Sequence, residues 1–98
     1  MKKRLDDDAI AAALTRLAGW RRVGDALEKT FELPTFSAAI AIVGAVADIA
    51  EAHDHHPDIL VRYRRVTLTL CTHDAGHHLT ELDLDVAAAV ERLPTLVN

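Results

Sequence analysis

All six histidines of this chain fall between positions 53 and 78, and that bias is the first sign of chemistry. Glu51, His55, His56, Pro57 and His73 are the residues best placed to converge. Imidazoles titrate near neutrality, so three gathered at the rim of a fold suit proton transfer to and from a neutral organic substrate. If the helix before them persists one residue past Asp54, Glu51 lies one turn before His55 and can orient its ring. His55 and His56 are adjacent in a segment that reads as extended, so they point to opposite sides and need not do the same job. The bland alternative is that each is a polar loop residue and nothing more.

Two rival chemistries use the same residues. His53, Asp54, His55, His56 and Asp58 could supply nitrogen and oxygen ligands to a metal, with His77 and His78 in reserve. No HExxH, cysteine pair or separated ligand pair of structural-zinc type accompanies them, so no metal is expected. Cys71 precedes His73 by two residues on the same strand face, which makes a Cys-His nucleophile conceivable; a small residue filling a strand is the plainer reading. Gly19, Gly24, Gly44 and Gly76 are scattered and form no phosphate-binding loop.

The elements that must position these groups follow from periodicity. Ile10, Leu14 and Leu17 recur at helical spacing, predicting a helix from Asp7 to Ala18 with Gly19 at its end. Trp20 to Val23 and Ala26 to Leu33 read as strands joined at Gly24-Asp25, with Leu27, Phe31 and Leu33 facing one way and Lys29 interrupting that face. A loop that tight puts Trp20 on the same face as Phe31. Thr35 can cap a helix from Phe36 to His53. Pro57 disfavours helical geometry at His56, and Asp58 to Tyr63 and Val66 to His73 then form a second strand pair around Arg64-Arg65. Asp74 to His78 is a loop, with His77 and His78 exposed, and Thr80 caps a last helix carrying Leu82, Val86, Val90 and Leu93 before Pro94. The order α-β-β-α-β-β-α implies an α+β fold, a four-stranded antiparallel sheet with helices packed on one face.

Ninety-eight residues, half of them apolar, suffice for one domain spanning 1–98 with a core of its own. Eleven Lys and Arg against fifteen Asp and Glu give a net charge of -4, and the one basic block counted is Lys2-Lys3-Arg4, which argues against nucleic acid as a partner. No uninterrupted apolar run approaches the roughly 20 residues of a membrane span. Asp6-Asp7-Asp8 spoils any likeness of the N-terminus to a signal peptide. A single cysteine allows no internal disulfide and suits a reducing cytoplasm. On a helical wheel, Phe36, Ile40, Val43 and Ala47 form one apolar stripe and Ile42, Val46 and Ile49 another. A small sheet can cover only one of them, so the other predicts a homo-oligomer.

Glu51, then three residues, then His55-His56-Pro57, an aromatic at Tyr63, His73 and a later Asp83 together resemble the signature of the pterin-4a-carbinolamine dehydratases. The similarity extends through Gly19-Trp20, Ala26 to Leu33, Thr72-His73-Asp74-Ala75-Gly76 and Leu79-Thr80-Glu81-Leu82-Asp83; His77-His78 departs from it, standing where a shorter, glycine-containing stretch is expected. The resemblance implies an α+β fold, a homo-oligomer (a tetramer, or else a dimer), and no metal or organic cofactor. It also implies a pterin substrate and loss of water from 4a-hydroxytetrahydropterin to give quinonoid dihydropterin, which supports tetrahydropterin recycling. In that scheme His55 and His73 exchange protons with the substrate and His56 binds the pterin ring. Glu51 orients a histidine, Asp83 supports the pocket, Asp54 and Pro57 belong to the site, and Trp20 forms a wall. Members of the family also act without catalysis, as a transcription-factor coactivator or as assembly chaperones for Rubisco. The intact histidine set favours the enzyme.

Overall fold

The chain runs α1 (Asp7–Leu14), β1 (Arg21–Val23), β2 (Ala26–Glu32), α2 (Phe36–His53), β3 (Asp58–Arg62), β4 (Arg65–Leu70) and α3 (Glu81–Glu91), which is the expected α-β-β-α-β-β-α order. The computed structural model describes residues 3–73 and 76–94, so Asp74 and Ala75 of the loop after β4 lie outside the described residues. The strands form one antiparallel sheet in the order β1-β2-β4-β3. Two hairpins meet at its centre, where β2 runs beside β4 from Leu27↔Leu70 to Glu32↔Arg65. Side chains alternate across a strand. Leu27, Phe31, Val66, Leu68 and Leu70 are therefore buried on one face, while Glu28, Thr30, Thr67 and Thr69 on the other stay open to solvent in part or whole. The covered face shares one apolar cluster with Ile10, Leu17, Ile42, Val46, Val86 and Val90. All three helices thus pack on that side.

Lys29 sits on the covered face and is accommodated there. Its ammonium donates to the Glu91 carboxylate at 2.9 Å and to the Ala18 carbonyl at 2.7 Å, and it lies 4.7 Å from the Phe31 ring centroid. The stem packs while the charged head is satisfied. Trp20 Nε1 donates to the same carboxylate at 3.1 Å, and its ring meets Phe31 edge-on at 6.3 Å, so the shared face predicted for Trp20 and Phe31 is present. Gly19 has φ +83, a backbone conformation that favours glycine, and a Cβ there would stand 2.8 Å from Lys29 Cε, the flexible end of a side chain that would have to shift.

Besides one-residue differences at the start of β1 and the end of β2, and α3 ending at Glu91 before Leu93, three further boundaries differ from the periodic reading. The helix α1 ends at Leu14 rather than Ala18, because the Thr15 hydroxyl and N–H both turn back to Ala12 O and Leu17 N–H then bonds Leu14 O. The second hairpin turns at Tyr63-Arg64 rather than Arg64-Arg65: Tyr63 takes φ 53, and Arg64 is tied to Leu33 by Leu33 N–H to Arg64 O and by its guanidinium to Leu33 O at 3.0 Å. The strand β4 stops at Leu70 instead of reaching His73, and Thr72 pairs with His78 in a lone bridge.

Thr35 caps α2 by accepting the Ala38 N–H at 3.0 Å. Ala39, Ile42, Val46 and Ala50 form its buried stripe. Phe36 and Ile40 on the other stripe are 50% and 46% exposed. With 18 residues of mean hydropathy 1.4, α2 comes closer to a membrane span than its uninterrupted runs suggest, yet its Ile42-Val46 stripe is sealed against the sheet.

Candidate active site

The site begins where α2 ends. Asp54 adopts the left-handed conformation (φ 48, ψ 44), which Asp tolerates better than most residues. His55 N–H then bonds Ala50 O at 3.0 Å and Asp54 N–H bonds Glu51 O at 3.3 Å, a Schellman closure. The helix therefore does not persist past Asp54, and the predicted Glu51–His55 pairing does not form. Glu51 Oε2 meets His56 Nε2 instead, at 2.6 Å. The left-handed residue swings His55 inward, to Asp83.

Asp83 is fully buried and is held from three sides. Its Oδ1 accepts from His55 Nε2 at 2.6 Å; its Oδ2 accepts the Thr72 hydroxyl at 2.9 Å and the Thr80 N–H at 2.9 Å. The last bond is half of a capping box at the start of α3, and Thr72 and Thr80 hydroxyls touch at 2.8 Å. A buried carboxylate needs such donors. A carboxylate facing Nε2 makes that nitrogen the donor, so the neutral His55 ring carries its lone pair on Nδ1. With its side chain only 10% exposed, His55 is oriented by a group that cannot itself move away.

Asp54, His55, His56, Cys71 and His73 line one open cavity of about 200 Å3. The structure thus brings together His55, His56 and His73, as the sequence predicts, with Asp54 among them and Asp83 immediately behind. Pro57 is half-buried just before β3. Trp20 does not line the cavity; it is 5% exposed in the core beside Phe31. Thr72 and Thr80 are the residues sequence reasoning missed as supports of Asp83, although the Thr80-x-x-Asp83 capping pattern was there to be found. A second concavity of about 260 Å3, lined by Thr30, Leu60, Arg62, Arg65 and Thr67 on the open face of the sheet, contains no histidine.

Cys71 Sγ lies 3.0 Å from His73 Nε2. Burial pushes the Cys71 thiol up from its ordinary range, and the Asp83, Asp58 and Asp25 carboxylates push it the same way. That is the opposite of what a nucleophilic cysteine needs. His77 is exposed and stacks on His73, with centroids 4.6 Å apart. His78 is not the exposed loop residue expected; it is 8% exposed and exchanges backbone bonds with Thr72. Among the described residues, no three His, Cys, Asp or Glu side chains are grouped to hold a metal ion.

A model of the family described as pterin 4 alpha carbinolamine dehydratase matches residues 3–93. A protein of Roseiflexus sp. (strain RS-1) bearing the provisional name pterin-4-alpha-carbinolamine dehydratase is 50% identical over 93 residues, 95% of this chain and 99% of its own length. One from Thermomicrobium roseum with the same provisional name is 48% identical over 90 residues, 92% of this chain and 96% of its own. A crystal structure from Brucella melitensis, described as a transcriptional coactivator/pterin dehydratase, superposes with a TM-score of 0.85 at 35% identity, covering 91% of this chain and 96% of that one. A pterin dehydratase-like protein described as a RuBisCO assembly factor in the alpha-carboxysome superposes with a TM-score of 0.62 at 28% identity, covering 74% and 86%.

Proposed function

Since the chain belongs to the pterin 4 alpha carbinolamine dehydratase family, we propose that it removes water from a 4a-hydroxytetrahydropterin and yields the quinonoid dihydropterin. The observation that carries this reading is the convergence of His55, His56 and His73 on one cavity, with His55 locked to the buried Asp83. Dehydration breaks the C4a–O bond as an acid protonates the departing hydroxyl. A base takes the N5 proton, and the electron pair left on N5 closes the C4a=N5 bond. One proton is given and one is taken, so two imidazoles suffice. His55, with Nδ1 unprotonated and Nε2–H held by Asp83, is the base. His73, across the cavity, is the acid. His56, paired with Glu51 at 2.6 Å, holds the pterin ring, Asp54 shapes the cavity edge, and Pro57 keeps His56 in extended geometry. No metal or organic cofactor takes part.

The rest of the chain fits the same reading. Residues 1–98 act as one domain, and the single thiol beside the site suits a reducing cytoplasm. The uncovered stripe of α2 with Phe36 and Ile40 is the surface on which copies of the chain associate, as a tetramer or a dimer. Ala41 and Gly44 on the exposed side of the helix leave room for close approach. A net charge of -4 gives no reason to expect nucleic acid as a partner.

A second reading is an oligomeric binding module without catalysis, favoured by the coactivator and assembly-factor descriptions of the two structural neighbours. Activity separates them. In a stopped-flow dehydration assay His55→Ala and His73→Ala should each lower kcat by about 10²–10⁴-fold, the usual weight of a general acid or base. A wild type no faster than buffer would assign the cavity to binding alone, and two variants as active as an active wild type would take the proton-transfer roles away from His55 and His73.

A further inference from the structure

His73 is exposed, yet two side chains outside the family signature close on it. Cys71 Sγ touches its Nε2 at 3.0 Å, and the His77 ring stacks on its face at 4.6 Å with 30° between planes. We propose that Cys71 and His77 are positioning residues that clamp His73, the thiol reserving Nε2 so that Nδ1 is the nitrogen presented to the substrate. The inference rests on the reading of His73 as a proton-transfer group.

The chemistry of the thiol suits this task. A thiol can donate S–H to an unprotonated ring nitrogen and accept from a protonated one. Nδ1 is the nitrogen that exchanges its proton, so Nε2 stays protonated and donates to the sulfur both in the imidazolium and in the neutral ring left after transfer. Burial and the neighbouring carboxylates keep Cys71 protonated, so the sulfur meets Nε2–H as a neutral acceptor. A thiolate would instead trap the ring as an ion pair. His77 limits rotation about the last side-chain torsion, which is broad for imidazole. An exposed ring held at one atom and one face loses its freedom before substrate arrives, and that removes part of the ordering cost from the reaction. The thiol meets the imidazole at one atom and the second ring meets it at one face.

The test uses the full chain with ¹⁵N-labelled histidine and the variants Cys71→Ala, Cys71→Ser, His77→Ala and His77→Phe. Long-range ¹H–¹⁵N spectra at about pH 8, above the ordinary imidazole range, report which ring nitrogen of His73 carries the proton. The wild type should show the Nε2–H tautomer; Cys71→Ala should show a mixture, and Cys71→Ser should restore it. In parallel kcat should fall about three- to tenfold in Cys71→Ala, the weight of one hydrogen bond, with KM unchanged and rescue by serine. His77→Ala should likewise lower kcat, and His77→Phe, which keeps a stacking face, should recover it. His77 is exposed, so its variants fold even if a Cys71 variant does not. An unchanged tautomer and an unchanged kcat in Cys71→Ala and His77→Ala would overturn the clamp. A wild type that lacks dehydratase activity but shows the tautomer change in Cys71→Ala would overturn the proposed reaction and uphold the clamp.

Discussion

Replacing Asp83 by Asn separates the charge of this residue from its shape. The wild-type carboxylate receives one donor on Oδ1, from His55, and two on Oδ2, from Thr72 and Thr80. An amide can serve the two Oδ2 donors with its carbonyl only by turning its NH2 toward His55. The imidazole must then accept at Nε2 and carry its proton on Nδ1. Every group keeps a partner, so no buried donor is orphaned, but three charge-assisted bonds become neutral ones. At roughly 1 kcal/mol of difference each at most, the variant should lose about 1–3 kcal/mol in urea unfolding with the m-value unchanged. Activity should suffer far more, by about 10²–10⁴-fold in kcat, because the tautomer left on His55 cannot take a proton at Nδ1. Asp83→Ala should shift the loss toward stability, leaving the His55 Nε2–H and the fully buried Thr80 N–H without their acceptor while the Thr72 hydroxyl can still turn to Thr80 Oγ1. The measurements are urea melts, stopped-flow dehydration and ¹⁵N spectra of His55. Asn at 83 with kcat within a few-fold of wild type would refute the assignment of His55 as an oriented base.

Three further outcomes are expected. Val46→Glu puts a carboxyl into a fully buried position and should unfold the chain, whereas Ile40→Glu, at a side chain 46% exposed, should give a folded but smaller species by light scattering; a wild-type monomer at about micromolar concentration would remove the proposed oligomer. Because burial and three carboxylates push the Cys71 thiol up, its thiolate forms only above the ordinary thiol range of about 8.5. Iodoacetamide should therefore label it more slowly than free cysteine at neutral pH and speed up as pH rises past that range, and labelling at pH 7 as fast as free cysteine would contradict this. His78→Gly should cost about 1–3 kcal/mol in urea melts, since it empties a buried position and frees the backbone, while His77→Gly should stay within about 0.5 kcal/mol; equal losses would contradict their different burial.

Much of the frame was legible in the sequence because local chemistry and tertiary packing agree there. Thr35 is an N-cap in sequence and in structure, Gly24-Asp25 makes the tight loop between β1 and β2, and the alternation Val66, Leu68, Leu70 is the buried face of β4. The failures lie where a long-range partner decides. Arg64 reads as a poor turn residue until Leu33 is seen to hold it, and Lys29 reads as a flaw until Glu91 arrives from 62 positions away. In the site, the three histidines were legible as a group but their partners were not. Periodicity pairs Glu51 with His55, and one left-handed residue at Asp54 hands Glu51 to His56 instead. The left-handed step lies in a single backbone angle, which spacing cannot reveal. Asp83 was named from the family signature, whereas its three-donor socket depends on Thr72 turning inward after β4 ends.

The central claim is catalysis itself, and the decay of 4a-carbinolamine in the presence of the untagged wild-type protein tests it most directly. The protein is first dialysed against EDTA, so that an acid-base site is tested without added metal. At catalytic concentration it should accelerate dehydration well above buffer, and adding zinc or iron should change nothing. Decay no faster than in buffer, or acceleration that returns only with added metal, would contradict dehydration by His55 and His73.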